Sequence, residues 1–535
     1  MILDYKTFRD KVVGCWTGKN IGGVLGAPFE CKRQINDVDF YVQDLSKGPP
    51  PNDDLDLQIV WLAAVERYGR NVNASILGEY WLSFVIPHWV EYGTGKANMK
   101  AGLEPPLSGF VDNTYRNSCG CFIRSEIWAC LAPGQPQLAA RYAYEDAIVD
   151  HEGEGMYGEV FCAAIQSAAF TESDPMKLVN IGLSYIPPES AMTRCIKKAV
   201  ECYQKKVPFL EARKHIHNEA PGTFGIFPFK LSEIKKEGNE GMEIGTPGFD
   251  APENVGFAIA GLLYGEGDFG KSICFANSCG EDTDCTCATL GALMGIMSGA
   301  SKLPEKWTKP LDDRIVTMCI DKTAWGGIWI PDTASQLADR VIRAVPSFLG
   351  QEFCDILAPG GMTIKCLEGD DLFCKSDAEE YLPLINANYR SEELPVAELT
   401  ALSPYTVRKS FTAFSVMVDY NKSVFFNSAE DRTIKITVVN CRKMRMQQWA
   451  RITLYTPEGI NILNGQSVMK PLNDLNGSKA EAEFIFNASG YRGAKLELIV
   501  DVSLEGRHSS GQVKVVLMRE NANENEINSR NSLSK

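Results

Sequence analysis

The chain has 535 residues, of which 44% are hydrophobic and 23% charged, and its formal net charge is -14. That length exceeds what one hydrophobic core usually supports, so two or more domains are expected, and the composition is that of a folded rather than a disordered chain. An acidic chain with no Lys/Arg run argues against nucleic acid as a partner.

The opening text MILDYKTFRDKVVG lacks the basic-then-apolar pattern of a secretory signal. No run of about 18 apolar residues is present to span a membrane. The 17 cysteines are scattered without the rhythm of a disulfide scaffold. Their closest pairs, Cys119/Cys121 and Cys285/Cys287, do not make a zinc set. Reduced thiols suit a reducing compartment, so the expectation is a cytoplasmic protein with no membrane partner.

Along the chain, Phe8, Val12, Val13 and Trp16 fall on one face of a first helix. The Gly-rich text GKNIGGVLGAPFE follows, where glycines permit close backbone packing or unusual dihedrals. DLDLQIVWLAAVERY, from Asp54 to Tyr68, reads as a helix with Leu57, Val60, Trp61, Ala64 and Val65 inward. Further helices are expected at 73–85, 136–149, 158–170, 191–204, 253–263, 269–276 and 332–344. After Asp284, CTCATLGALMGIMSGA spaces Gly291, Gly295 and Gly299 four apart, a stripe against which another backbone can pack, so this helix should be central.

Beyond about residue 395 the period changes. TIKITVV, ARITLYT, AEAEFIF, AKLELIVDV and QVKVVLM alternate apolar with polar residues, and Asn464-Gly465 and Asn476-Gly477 are turn dipeptides of the kind that close hairpins. The expected architecture is a large all-α domain (1–390), a small all-β sandwich (391–520) and a flexible polar tail (521–535).

Two acidic clusters stand at helix starts: Asn52-Asp53-Asp54-Leu55-Asp56 and Gly280-Glu281-Asp282-Thr283-Asp284. Each alone reads as a helix cap with acids complementing the dipole. If they meet in space, Asp53, Asp54, Asp282 and Asp284 form a like-charge cluster that hard cations with oxygen ligands would reconcile.

The string CGEDTDCTCATLGALMGIMSGA, followed by LPEKW, resembles the C-terminal metal motif of the ADP-ribosylglycohydrolases. NDDLDLQIVWL is similar to their N-terminal Asp-Asp-Thr motif, and VVGCWTGKNIGGVLGAPFE to their opening helix and loop. NSCGCFIRSEIWACLAPGQP and DHEGEGMYGEVFCAAIQSAAF resemble their ligand loop and the helix start that carries a family His. The five segments keep family order across about residues 8–310, and the β-sandwich lies outside the resemblance.

The resemblance implies a hydrolase binding one or two magnesium or manganese ions through Asp53, Asp54, Asp282 and Asp284, with Glu30 as a mobile or second-metal carboxylate. Asn52 and Cys285 occupy positions that can lend a further ligand, and Glu30, Asp54 or Asp282 would serve catalysis, including as general base. Ser118, Cys119 and Gly120 match a loop that cradles phosphate or ribose through backbone N–H groups, and Arg124 and His151 match residues near the ligand. A structural salt bridge for Arg124 and a local Asp150–His151 pair remain open alternatives.

The chain departs from the pattern at Leu55 (family Thr), Asn52 (often Gly or Thr), Glu281 (Gly) and Cys285 (Thr). A thiol is a poor partner for magnesium, so Cys285 leaves its ligand place to water, Thr286 or Asp56, or shifts the metal preference. The implied activity is cleavage of an N- or O-glycosidic bond at a ribose-like sugar, with ADP-ribosyl conjugates as the family default. The alternative is a catalytically inactive binder of ADP-ribose or a sugar.

Overall fold

The computed structural model describes residues 1–220, 248–324, 326–376, 394–441, 447–473 and 478–520. These fall into two compact units that divide at residues 401 and 402, with residues 394–401 joining the first. The turn dipeptide Asn476-Gly477 and the polar tail lie outside the described residues.

The first unit is helical. Its opening helix (Tyr5–Gly26) starts at Asp4, whose carboxylate accepts the Thr7 N–H at 3.0 Å. The Gly-rich text expected to follow that helix lies inside it. Its glycines are offset by burial against the central helix (Thr283–Ser298), which is buried along nearly its whole length. The two run antiparallel, backbone against backbone. A Cβ on Gly14 would stand 2.3 Å from Gly295 O, one on Gly18 2.1 Å from Gly291 O, and one on Gly22 2.0 Å from Cys287 O. Gly299 takes no part in this seam: at φ 81 it caps the helix and meets Asp10.

The other expected helices are present, Ala191–Gln204 with the expected ends and most with shifted ones, such as Ala74–Phe84, Pro136–Ala147, Glu154–Ala168 and Ala334–Leu349. Four longer ones escaped the sequence reading: Val90–Ala101, Ser125–Leu131, Pro175–Leu183 and Phe209–Glu219. A three-stranded antiparallel sheet, β1 (Ile2–Asp4), β2 (Cys354–Asp355) and β3 (Thr363–Lys365) in the order β1-β3-β2, ties the amino terminus to the end of the unit. Among the described residues no helix is long and apolar enough to cross a membrane. All 17 cysteines are free thiols.

The second unit is a β-sandwich of two five-stranded sheets. One holds β4 (Thr406–Ser410), β5 (Phe414–Asp419), β7 (Asp431–Asn440), β11 (Lys479–Asn487) and β9 (Asn461–Ile462) in that order. The other holds β10 (Ser467–Leu472), β8 (Gln448–Tyr455), β12 (Lys495–Leu504), β13 (Ser510–Arg519) and β6 (Phe425–Phe426). Among the described strands only β13 and β6 pair in parallel. Alternate residues of the long strands are buried, as period-2 patterning requires. Asn464-Gly465 closes no hairpin, because β9 and β10 belong to different sheets. Instead the Asn464 side chain prolongs pairing along β11, accepting Ile485 N–H at 3.0 Å and donating to Glu483 O at 2.8 Å.

Candidate metal centre

The glycine seam ends where the two acidic clusters meet. At its last step Gly26 lies against Thr283 and Asp284, and Gly23 lies against the side chains of Asn52 and Asp54. The loop carrying Glu30, the turn at Asp53–Leu55 and the start of the central helix are thereby drawn to one point. Ligand-capable atoms of Asp54, Asp284 and Cys285 lie within 4.8 Å of one another, and so do those of Glu30, Asp282 and Asp284.

Asp54 is 0% exposed, Asp282 1% and Asp284 6%. Neither Asp54 oxygen has a well-formed hydrogen-bond partner, nor do Asp282 Oδ1 and Asp284 Oδ1. The thiols of Cys285 and Cys119 merely lean on these carboxylates, Cys285 toward Asp54 and Asp282, Cys119 toward Asp282. Burial and then Glu30 push both Asp282 and Asp284 well above the usual carboxylate range, and Asp282, Asp54 and Asp53 raise Asp284 further. Asp54 is raised too, chiefly by burial. Orphaned, buried, mutually repelling carboxylates fit a divalent cation, and an all-oxygen donor set suits a hard one.

The remaining motif residues take other places. Asn52 caps the turn, its Oδ1 accepting Asp54 N–H at 2.8 Å. Asp53 is half-buried, receives the Tyr92 hydroxyl at 3.4 Å and is pushed up to about 6 by burial and Asp54. Glu30 and Cys31 are exposed at the mouth, and Glu30 is raised by desolvation and by Asp53. Leu55 is core.

Neither fallback donor belongs to a ligand group. Asp56 accepts the N–H groups of Met318, at 2.6 Å, and Cys319. Thr286 donates its hydroxyl back to Asp282 O at 2.7 Å. Glu281 adds no carboxylate to the centre, since it pairs with Arg33 at 2.6 Å and accepts Gly248 N–H at 2.6 Å.

The Ser118–Gly120 loop runs beside this centre, and its amide cradle is narrower than expected. Ser118 N–H donates to Tyr115 O and Cys119 N–H to Phe249 O, each spent on the fold. Behind it Ser118 Oγ meets His151 Nε2 at 2.8 Å, and His151 Nδ1 stands 2.8 Å from Asp150. Arg124 ties Asp150 (2.8 Å), Asp146 (3.0 Å) and Gly120 O (3.0 Å), with its guanidinium over Trp81. Arg124 and His151 are both sealed from solvent, so they hold the loop from behind.

Among the buried ionisable groups that escaped the sequence reading, Lys19, Glu126 and Glu91 lie beside the centre. Lys19, on the opening helix, reaches Glu126 at 3.2 Å; burial would lower its pKa, but Glu126 and Asp54 hold it above the ordinary value. Glu126 also accepts from Gln58 and Gln166. Glu91 lies under Gly120 and is pushed up to about 8 by burial and Asp150. A lysine inside a stretch of glycines and apolar residues was the available signal for Lys19. A separate cavity of about 820 Å³, lined among others by Glu66, Tyr80, Trp329 and Arg340, contains none of these residues.

No curated protein matches the chain. The family model described as ADP-ribosylglycohydrolase matches residues 4–346, a span that takes in both acidic clusters, Glu30, the Ser118–Gly120 loop and His151. The chain therefore belongs to the ADP-ribosylglycohydrolase family, with a β-sandwich beyond the matched region.

Proposed function

We propose that this protein is a divalent-cation-dependent glycohydrolase that cleaves an N- or O-glycosidic bond at a ribose-like sugar, with ADP-ribosyl conjugates as the substrate class. The observation that carries the reading is the convergence of Glu30, Asp54, Asp282 and Asp284, most of them buried and short of partners. Asp282 and Asp284, with Glu30 on one side and Asp54 on the other, would hold magnesium or manganese. A cation there supplies charge compensation, a template for ribose hydroxyls and Lewis acidity toward water.

Glu30 is the carboxylate that both belongs to the cluster and faces solvent. Its raised pKa suits a general base that takes a proton from the attacking water. The neighbouring acids stabilise the oxocarbenium-like centre that forms as the aglycone departs. Gly120, with its amide outside the loop's spent hydrogen bonds, and the Ser118 side would line the sugar, held by Arg124, Asp150 and His151.

The test is turnover of an ADP-ribosylated substrate by the full chain after exhaustive chelation, then with magnesium or manganese restored. Activity should vanish and return, and Asp282→Ala should stay inactive with metal present. Undiminished turnover in excess chelator removes the mechanism. Tight ADP-ribose binding by calorimetry with no product under any cation would leave the inactive-binder reading instead.

A further inference from the structure

We propose that Cys285 is itself a metal ligand. It divides the centre into an all-oxygen position for a hard cation and a sulfur-containing position for a borderline divalent cation of the zinc, cobalt or iron(II) class. The inference rests on the metal-dependent reading above and sharpens it.

The two ligand groups share Asp284 but differ in donor chemistry. Glu30, Asp282 and Asp284 offer oxygen only, whereas Asp54 and Asp284 are joined by the sulfur of Cys285. Both Asp54 oxygens and Asp284 Oδ1 are buried without a well-formed partner, and the nearby Lys19 ammonium bonds Glu126 instead, so the second group offers unsatisfied donors independently of the thiol. No neighbouring group substitutes for the sulfur. The Asn52 oxygen caps the turn, the Thr286 hydroxyl is turned back to Asp282 O, Asp56 accepts from Met318 and Cys319 through Oδ2 and belongs to neither ligand group, and Leu55 is core.

Thiolate donors favour zinc-class cations, and carboxylate donors favour magnesium or manganese. On binding, the Cys285 S–H bond breaks, a sulfur–metal bond forms and the proton passes to solvent, with no change of oxidation state. Two further thiols stand nearby, Cys119 leaning on Asp282 and Cys31 beside Glu30, but neither belongs to a ligand group.

The experiment is a cobalt(II) titration of the full, metal-stripped chain, followed by near-ultraviolet absorption and by calorimetry. Wild type should develop a thiolate-to-cobalt charge-transfer band. Cys285→Ser should lose it, and its zinc affinity should fall at least about tenfold, while manganese binding persists. Cys285→Thr provides a second variant with the same expected loss of the band, and Cys119→Ser should retain the band. Matching circular dichroism and melting curves show that the variants fold. Cobalt binding without a band, or a band that survives Cys285→Ser, overturns the assignment. If the band is missing while manganese still binds and supports turnover, only this assignment falls. If no divalent cation binds at all, the metal-dependent reading falls with it.

Discussion

In the helical unit Lys19, Asp54, Arg124, Glu126, Asp146, Asp150 and Glu159 are all sealed from solvent, whereas the buried polar side chains of the described β unit are Asn440, Gln448 and Thr453. The β interior is what packing alone selects: apolar residues at every second position, facing the opposite sheet. The helical interior is what a charged centre requires. Desolvated charges are tolerable only when paired or bonded, so Arg124 collects carboxylates and Lys19 bonds Glu126 and eases Asp54 from a distance, while the oxygens of Asp54, Asp282 and Asp284 keep too few partners. Stability in one unit comes from burial itself. In the other it is partly given up to keep unneutralised carboxylates in place.

The comparison breaks most completely at the glycine seam. Gly18→Val would drive a side chain into Gly291 O, which as backbone cannot swing aside. The expected loss exceeds about 4 kcal/mol. The helical unit should fail to fold, read as loss of the far-ultraviolet helical signal, while the β unit retains its own thermal transition. A variant with a near-normal helical signal would show that the seam is looser than its geometry states.

Next in size is a change that should move activity and stability in opposite directions. Asp54→Asn keeps the shape and removes a buried charge, so turnover should fall at least about 100-fold. The metal-free protein should meanwhile gain on the order of 1–3 kcal/mol in chemical denaturation. If the metal-free variant is instead less stable, Asp54 is a structural partner rather than an electrostatic burden.

How much of this was legible beforehand follows the same division. Period-2 alternation marked the long strands, but β6 and β9, two residues each, are too short to show a period. The acidic clusters were visible because several acids fall together at two helix starts. The glycines of the central helix marked it as central, but whether the clusters meet stayed open, because the matching glycines of the opening helix looked like a loop. VEYGTGKANMKA carries no apolar stripe, because it buries Glu91, Tyr92, Gly95 and Lys96, and its helix went unread. Glu281 paired with Arg33 rather than joining the acids, a partner far off in sequence that local spacing cannot announce.

A pH measurement sharpens the contrast further. Glu91, ordinarily near 4.5, is pushed up to about 8 in the folded chain by burial and then by Asp150. A folded-state pKa above the unfolded one means that the group's contribution is fully present below about pH 4.5 and is lost as pH rises through 8. The loss is on the order of a few kcal/mol for one such proton. Asp56, also raised to about 8 by burial, adds a slope of the same sign. Glu91→Gln should therefore make the decline between pH 5 and 8 visibly shallower in metal-free denaturation curves, without abolishing it. An unchanged slope would mean that Glu91 is already ionised, and hence solvated, in the folded protein.

The smallest effect belongs to the β unit's surface. Glu497 reaches Lys495 at 2.7 Å and Lys514 at 3.1 Å, but all three side chains are more than 40% exposed. The contacts hold its carboxyl below the usual range, first through the Lys495 bond, yet water and salt screen most of what they are worth. Glu497→Ala should change stability by less than about 0.5 kcal/mol, and less still in high salt, with turnover unaltered. The residue lies on β12 three positions before Val500, which faces Val513 inside the sheet pair. The two neighbours thus separate exposure from location. If Glu497→Ala cost as much as altering a sealed charge near the acidic centre, burial would not be what divides the two units.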